Sequence, residues 1–278
     1  MRYFKDKKVF ITGGSSGIGK STAALLARNG ANVIIGARNE AKLETALGQI
    51  EAVADSAEQI TDKVVIDIAD KASVSAARDA VLERLGGLDV LINNAGIAQP
   101  GYVQELSDDV FEQQMRVNYF GTVNVTRAFL PTFVEQHSGH ICNVSSLLGF
   151  MGVFGYTAYA ASKFAVVGFS DCLRQELLPH GVGVSVVYPA DVDTPQLAEE
   201  NQYKPAETKA VSGNVKVMHP DAVAEAMLKG IASGRYNIVP GFGSKFTHFM
   251  YRHFPWMVRA TIDGDVKKAT RARNGNGA

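Results

Sequence analysis

Tyr159 and Lys163, in the run Tyr159-Ala160-Ala161-Ser162-Lys163, stand four residues apart and share one face of any helix that contains them. A phenol and an ammonium so placed can act on the same small object. Free tyrosine titrates near about 10, so proton transfer at neutral pH calls for a lower value, which a nearby cation supplies by stabilising the phenolate. Bringing it to about 7 takes roughly 4 kcal/mol of differential stabilisation, and Lys163 is the obvious source. Upstream, Ser145 closes the apolar run from Ile141 to Val144, where its hydroxyl can hydrogen-bond a carbonyl oxygen as charge develops there. Ser146 is the rival for that role. Asn118, in Arg116-Val117-Asn118-Tyr119, falls in a long helical pattern that suits asparagine poorly, and an ordinary tertiary hydrogen bond explains it equally well. A tyrosine and a lysine at this interval are common on helices; their position after the strand and beside Ser145 gives them weight.

The second constellation is Thr12-Gly13-Gly14-Ser15-Ser16-Gly17-Ile18-Gly19, which follows Val9-Phe10-Ile11 and opens into a helical pattern. Gly13, Gly17 and Gly19 allow a tight turn and close approach of the backbone, and the helix N-terminus then faces the phosphates of a dinucleotide. A plain strand-to-helix turn is the bland alternative. At the end of the next strand, Ile35-Gly36-Ala37-Arg38-Asn39 lacks the acid that would bind the ribose 2′-hydroxyl of NAD. Arg38 instead offers a cation for a 2′-phosphate, which favours NADP(H), although a simple surface arginine would read the same way. Lys42 adds charge one helical turn on, and Glu40 opposes it.

These groups need elements to hold them. Short Val/Ile runs recur at Val9–Ile11, Val33–Ile35, Val64–Ile66, Val90–Ile92, Ile141–Val144 and Val182–Val187, with a weak late strand at Asn237–Pro240. Between them lie helix-like stretches at Gly19–Asn29, Glu40–Val53, Lys71–Leu85, Glu112–Glu135, Tyr159–Leu178 and Asp221–Ser233. Apolar strands alternating with helices signal a sheet buried on both faces, hence an α/β fold: a doubly wound, Rossmann-like, mostly parallel sheet with helices on both faces. The 278 residues carry 28 Lys+Arg against 28 Asp+Glu and are 46% hydrophobic, which excludes wholesale disorder and gives no basic surplus for nucleic acid. No internal linker divides the chain, so one domain over residues 1–241 is expected, with a C-terminal extension. Cys142 and Cys172 read as reduced core residues, and no set of metal ligands emerges. The charged start lacks the pattern of a signal peptide, and no apolar run is long enough to span a bilayer, so cytoplasmic residence is expected.

Taken together, the glycine turn, Asn93-Asn94-Ala95-Gly96, Asn118, Ser145, Tyr159 and Lys163 resemble the short-chain dehydrogenase/reductase family over almost the whole catalytic domain. The resemblance implies Tyr159 as proton donor, Ser145 rather than Ser146 as carbonyl holder, Lys163 on the nicotinamide ribose, and Asn118 supporting a water relay. It also implies that Asp67 and Ile68 contact adenine, that Asn94, Ala95 and Gly96 line the cofactor groove, and that Thr194 holds the nicotinamide amide, with Pro189 and Val192 beside it. Tyr188-Pro189-Ala190-Asp191 departs from the usual Pro-Gly. That departure, with Ala198-Glu199-Glu200-Asn201, Lys204-Pro205 and Glu207-Thr208, is similar to family members that reduce long-chain 3-keto sphingoid bases with NADPH. Reduction of a 3-oxoacyl thioester, oxidation of a hydroxysteroid and non-catalytic NADP sensing are the alternatives. The family also implies a homodimer or homotetramer.

Leu147, Leu148, Phe150, Met151, Val153 and Phe154 place an apolar group between Ser145 and Tyr159, against which an alkyl chain could lie. Residues 191–217 are expected to form a flexible substrate lid. Residues 242–262 combine Phe246, Phe249, Phe254, Trp256 and Met257 with Lys245, Arg252 and Arg259, broken by Pro255 into two short pieces. Peripheral membrane contact and packing over the substrate mouth or a subunit are equal expectations for this segment. Residues 263–278 are polar and read as a disordered tail.

Overall fold

A computed structural model describes residues 2–213 and 216–275. Seven strands form one sheet: β1 (Lys8–Thr12), β2 (Asn32–Ala37), β3 (Thr61–Val65), β4 (Val90–Asn93), β5 (Gly139–Val144), β6 (Val182–Val187) and β7 (Asn237–Ile238). Their spatial order is β3-β2-β1-β4-β5-β6-β7, and every pair is parallel. The order reverses between β1 and β4, and the crevice at that switch point is where such sheets bind ligands.

Eleven α-helices connect or follow the described strands: α1 (Gly17–Ala27), α2 (Glu40–Glu51), α3 (Lys71–Leu85), α4 (Asp108–Gln114), α5 (Thr122–Gln136), α6 (Thr157–Leu177), α7 (Pro195–Tyr203), α8 (Ala206–Ser212), α9 (Pro220–Ala232), α10 (Phe242–His253) and α11 (Pro255–Gly275). One face of the sheet packs Val9, Ile11, Val33 and Ile35 against Leu26, Leu43 and Met227 from α1, α2 and α9. The other packs Phe10, Ile34, Leu91 and Ile141 against Val81, Phe129, Phe133 and Leu173 from α3, α5 and α6. Because β1 alternates its side chains across the pleat, Val9 and Ile11 serve one core while Phe10 serves the other. Cys142 lies in the core, but Cys172 is exposed on α6.

Three local features depart from the sequence reading. The long helix expected over Glu112–Glu135 contains a π-helical stretch, Met115–Gly121, whose wider turn carries Asn118. Residues 191–217, read as a flexible lid, include α7 and α8; Thr208 Oγ1 donates to the Phe154 carbonyl at 2.9 Å, and residues 214–215 fall outside the described set. The polar tail, read as disordered from residue 263, continues α11 to Gly275, while 276–278 lie outside the described residues. The reason is a buried anchor. Glu207 on α8, 1% exposed, accepts from Tyr102 Oη at 2.7 Å and Thr270 Oγ1 at 3.2 Å and pairs with Arg273 at 3.1 Å. Among the described residues no helix is long and apolar enough to cross a membrane.

Candidate active site

The glycine turn leaves β1 at the switch point. Gly13 has φ +69°, a left-handed conformation that favours glycine, and a Cβ at Gly19 would stand 2.3 Å from the Gly13 carbonyl oxygen. Asn94 clamps the turn by donating from Nδ2 to the carbonyls of Thr12 and Gly13 at 3.1 and 3.2 Å. The backbone N–H groups of Asn94 and Ala95 donate to Thr12 Oγ1 at 3.1 and 3.2 Å. Across the crevice, the Thr194 methyl lies 2.8 Å from where a Gly17 Cβ would be. Thr194 Oγ1 caps α7 by accepting from Leu197 N at 3.3 Å and donates to the Val192 carbonyl at 3.1 Å. The turn, the Asn94–Gly96 segment and the Pro189–Thr194 segment therefore enclose one groove. A dinucleotide fits this cradle: its tight glycines leave backbone N–H groups at a helix N-terminus, and Ser16 there makes no side-chain capping bond.

After β2 and at the start of α2, Arg38 and Lys42 are both exposed. Lys42 lines a cavity of about 280 Å³ with Ser15 and Lys20. Lys20 was missed in the sequence, although its place in the first turn of α1, directly after the glycines, was a usable signal. The opposing charge of Glu40 is turned toward Lys63, 3.4 Å away. Asp67 closes its own turn by accepting from Ala69 N at 2.9 Å. Ile68 follows it with its side chain buried in the core, where it packs so near Gly121 that a Cβ there would clash at 2.6 Å.

Tyr159 and Lys163 lie on one face of α6 as the spacing requires, with Lys163 Nζ 5.6 Å from the tyrosine ring centroid. Lys163 Nζ donates to the Val144 carbonyl at 3.0 Å. Gly96 borders it, since a Cβ there would come 3.3 Å from Nζ. Asn118 donates from Nδ2 to the Ile97 carbonyl at 2.9 Å and to Ser162 Oγ at 2.9 Å, and its Oδ1 accepts from Ile97 N at 2.8 Å. Its side chain thus fixes the loop after β4 to α6, and its own carbonyl accepts from Thr122 Oγ1 at 2.8 Å.

Two expectations are overturned here. Ser145, preferred as the carbonyl holder, is 3% exposed, donates Oγ to the Lys163 backbone carbonyl at 3.1 Å, and is sealed beneath Gly149. Ser146, half-buried, donates Oγ to the Pro189 carbonyl at 3.5 Å and accepts from Leu148 N at 3.1 Å, and its hydroxyl acts on the Tyr159 phenol, lowering its proton affinity. Successive residues leaving a strand point to opposite sides, so only one of the two faces the cleft. The second correction concerns titration. Burial, followed by the negative charge of Glu200, pushes the Tyr159 phenol up rather than down, with Ser146 acting in the other direction. Burial also pushes the Lys163 ammonium down to about 8, against a smaller upward pull from Glu200. The Lys163 ammonium, held by the Val144 carbonyl, is not among the groups that shift the phenol.

On the substrate side, Leu147 is core, packed with Val186 and Tyr188, so it cannot line an open trough. Phe150 instead meets His248 and Tyr251 of α10 at centroid distances of 4.8 and 5.8 Å. One side of α10 therefore covers the catalytic loop, while Phe242, Phe246, Phe249, Trp256 and Met257 stay exposed.

Residues 7–205 match the family model described as short chain dehydrogenase, and the chain belongs to that family. It is an oxidoreductase with a Rossmann-like fold and a nicotinamide cofactor. Among its relatives, 3-dehydrosphinganine reductase of Danio rerio is 41% identical over 236 residues, 84% of this chain and 70% of that one. The 3-ketodihydrosphingosine reductase of Bos taurus is 40% identical over 82% of this chain and 69% of its own length. A Burkholderia cenocepacia short chain dehydrogenase solved in complex with NADP superposes with a TM-score of 0.76 at 25% identity, covering 93% of this chain and 98% of that one. One from Burkholderia phymatum, in complex with NAD, gives 0.75 at 28% identity over 86% and 90% of the two chains.

Proposed function

We propose that this protein reduces the ketone of a long-chain 3-keto sphingoid base, 3-ketodihydrosphingosine, to the secondary alcohol at the expense of NADPH. The observation that carries the reading is the meeting of Tyr159, Ser146 and Lys163 beside the glycine turn, in a chain about 40% identical to reductases of that name. Arg38, Lys42 and Lys20 support NADPH over NADH, because fixed cations suit a 2′-phosphate. The backbone of the Gly13–Gly19 turn with Ser15, Ser16 and Ile18 would hold the pyrophosphate, Asp67 the adenine edge, and Asn94 to Gly96 with Pro189, Val192 and Thr194 the nicotinamide half. The reduced nicotinamide, when bound, supplies hydride to the carbonyl carbon.

The chain's own groups complete the reduction. Tyr159, protonated at neutral pH, donates its phenolic proton to the carbonyl oxygen as the C=O becomes CH–OH. Ser146 donates a hydrogen bond to the same oxygen, where charge develops. Lys163 orients the tyrosine and binds ribose, and Asn118 braces the loop that carries Gly96. Exposed Phe120 and Phe164 support a homodimer or homotetramer through the face of α6 and the neighbouring π-helical stretch. The exposed aromatics of α10 and the start of α11, beside Lys245, Arg252 and Arg259, support peripheral contact with a membrane surface.

The test is NADPH oxidation with 3-keto amines of increasing chain length, beside a steroid ketone and a 3-oxoacyl thioester. Each buried methylene contributes about 0.8 kcal/mol, so kcat/KM should climb steeply with length before levelling off. A flat series with efficient thioester or steroid turnover would refute the substrate.

A further inference from the structure

Glu200 is the one buried residue of α7, whose other residues are exposed save the half-buried Gln196 and Leu197. Removing a carboxylate from water is costly unless something compensates. Its oxygens each receive one protein hydrogen bond: Oε1 from Gln196 Nε2 at 2.8 Å, and Oε2 from Tyr156 Oη at 2.9 Å. A carboxylate accepts about four, so acceptor capacity remains on both oxygens. The cation supplied by the same segment, Lys204, is buried and pairs with Asp191 at 3.4 Å. Asp191 and Glu200 thus set two carboxylates against the one Lys204 ammonium.

This charge sits at the reaction centre. Tyr156, which binds Glu200, packs its ring 5.7 Å from that of Tyr159, and the Glu200 charge raises the proton affinity of both Tyr159 and Lys163. Protonating a simple ketone needs no such carboxylate. A substrate with a cation beside its carbonyl does.

We propose that Glu200 receives the ammonium group of the substrate, one carbon away from the ketone that Tyr159 protonates, and so selects 2-amino ketones over plain ketones. The proposal rests on the function proposed above and names the residue by which that site reads its substrate. Tyr156 and Gln196 position the carboxylate, and the Lys204 ammonium, paired with Asp191 at 3.4 Å, favours its charged form.

The experiment compares kcat/KM for a long-chain 2-amino-3-ketone with that for the same ketone lacking the amine, in the wild type and in Glu200→Gln. Glutamine keeps the volume and an acceptor for Tyr156 while removing the charge. The wild type should prefer the amine, and the preference should shrink roughly 10- to 150-fold in Glu200→Gln, the range of one charge-assisted hydrogen bond. If Glu200 only pins α7 to the domain, both substrates lose equally and the ratio holds, which overturns the proposal. Tyr156→Phe removes a positioning bond but leaves the charge, so it should retain most of the preference. Should Glu200→Gln not fold, the wild type still decides: equal rates with both ketones overturn the role of Glu200 alone, whereas no turnover of either removes the function beneath it.

Discussion

Exchanging alanine for each of the adjacent serines separates chemistry from scaffolding. Ser146 faces the Tyr159 phenol, so Ser146→Ala removes a donor aimed at the carbonyl oxygen. Losing one such donor costs about 2.7–4 kcal/mol in the transition state, a fall in kcat of about 10²- to 10³-fold, with little change in unfolding. Ser145 spends its hydroxyl on the Lys163 carbonyl, inside the fold and away from the cleft. Ser145→Ala forfeits one buried neutral hydrogen bond, about 0.5–1.5 kcal/mol, which corresponds to a midpoint lowered by about 1–6 °C in a domain of this size. Its kcat should stay within a few-fold. Steady-state kinetics with a reducible ketone and thermal unfolding of both variants give four readings. A Ser145→Ala enzyme with collapsed kcat beside a nearly normal Ser146→Ala enzyme would show that the cleft-facing hydroxyl has been misassigned.

The remaining predictions concern pH and cofactor. Because burial holds Lys163 near about 8, its charge is present below that pH and is lost as pH rises through it, so NADPH affinity should weaken with an alkaline limb centred near 8. Fluorescence titration should find that limb absent in Lys163→Met; a wild-type limb nearer 10 would contradict the burial argument. The same shift has a stability consequence of opposite sense: the unfolded lysine binds more protons between about 8 and 10.5, so this group's contribution to stability improves with rising pH across that window. Arg38→Ala should raise the Kd for NADPH roughly 10- to 150-fold and leave NADH almost unaffected, and equal losses would reduce Arg38 to a scaffold or stacking residue.

Much of this protein is determined locally and is legible in the sequence. Strand and helix periods are short-range, so the alternating α/β order follows from them. A turn that only glycine can make marks itself, and four residues on a helix always return Lys163 to the face of Tyr159. Side-chain choice at the end of β5 is different. Ser145 and Ser146 are chemically identical, and only the docking of α6 and Gly149 over one side decides which hydroxyl reaches the cleft. The neighbouring lysine in the sequence points to a lowered proton affinity for Tyr159, but burial and Glu200, distant along the chain, raise it. The polar C-terminal stretch carries no hydrophobic pattern that would announce a packed helix; a single buried carboxylate, Glu207, gathers Tyr102, Thr270 and Arg273 and holds it down. Long-range electrostatics and burial have no period along the chain, so they exist only once the chain has folded.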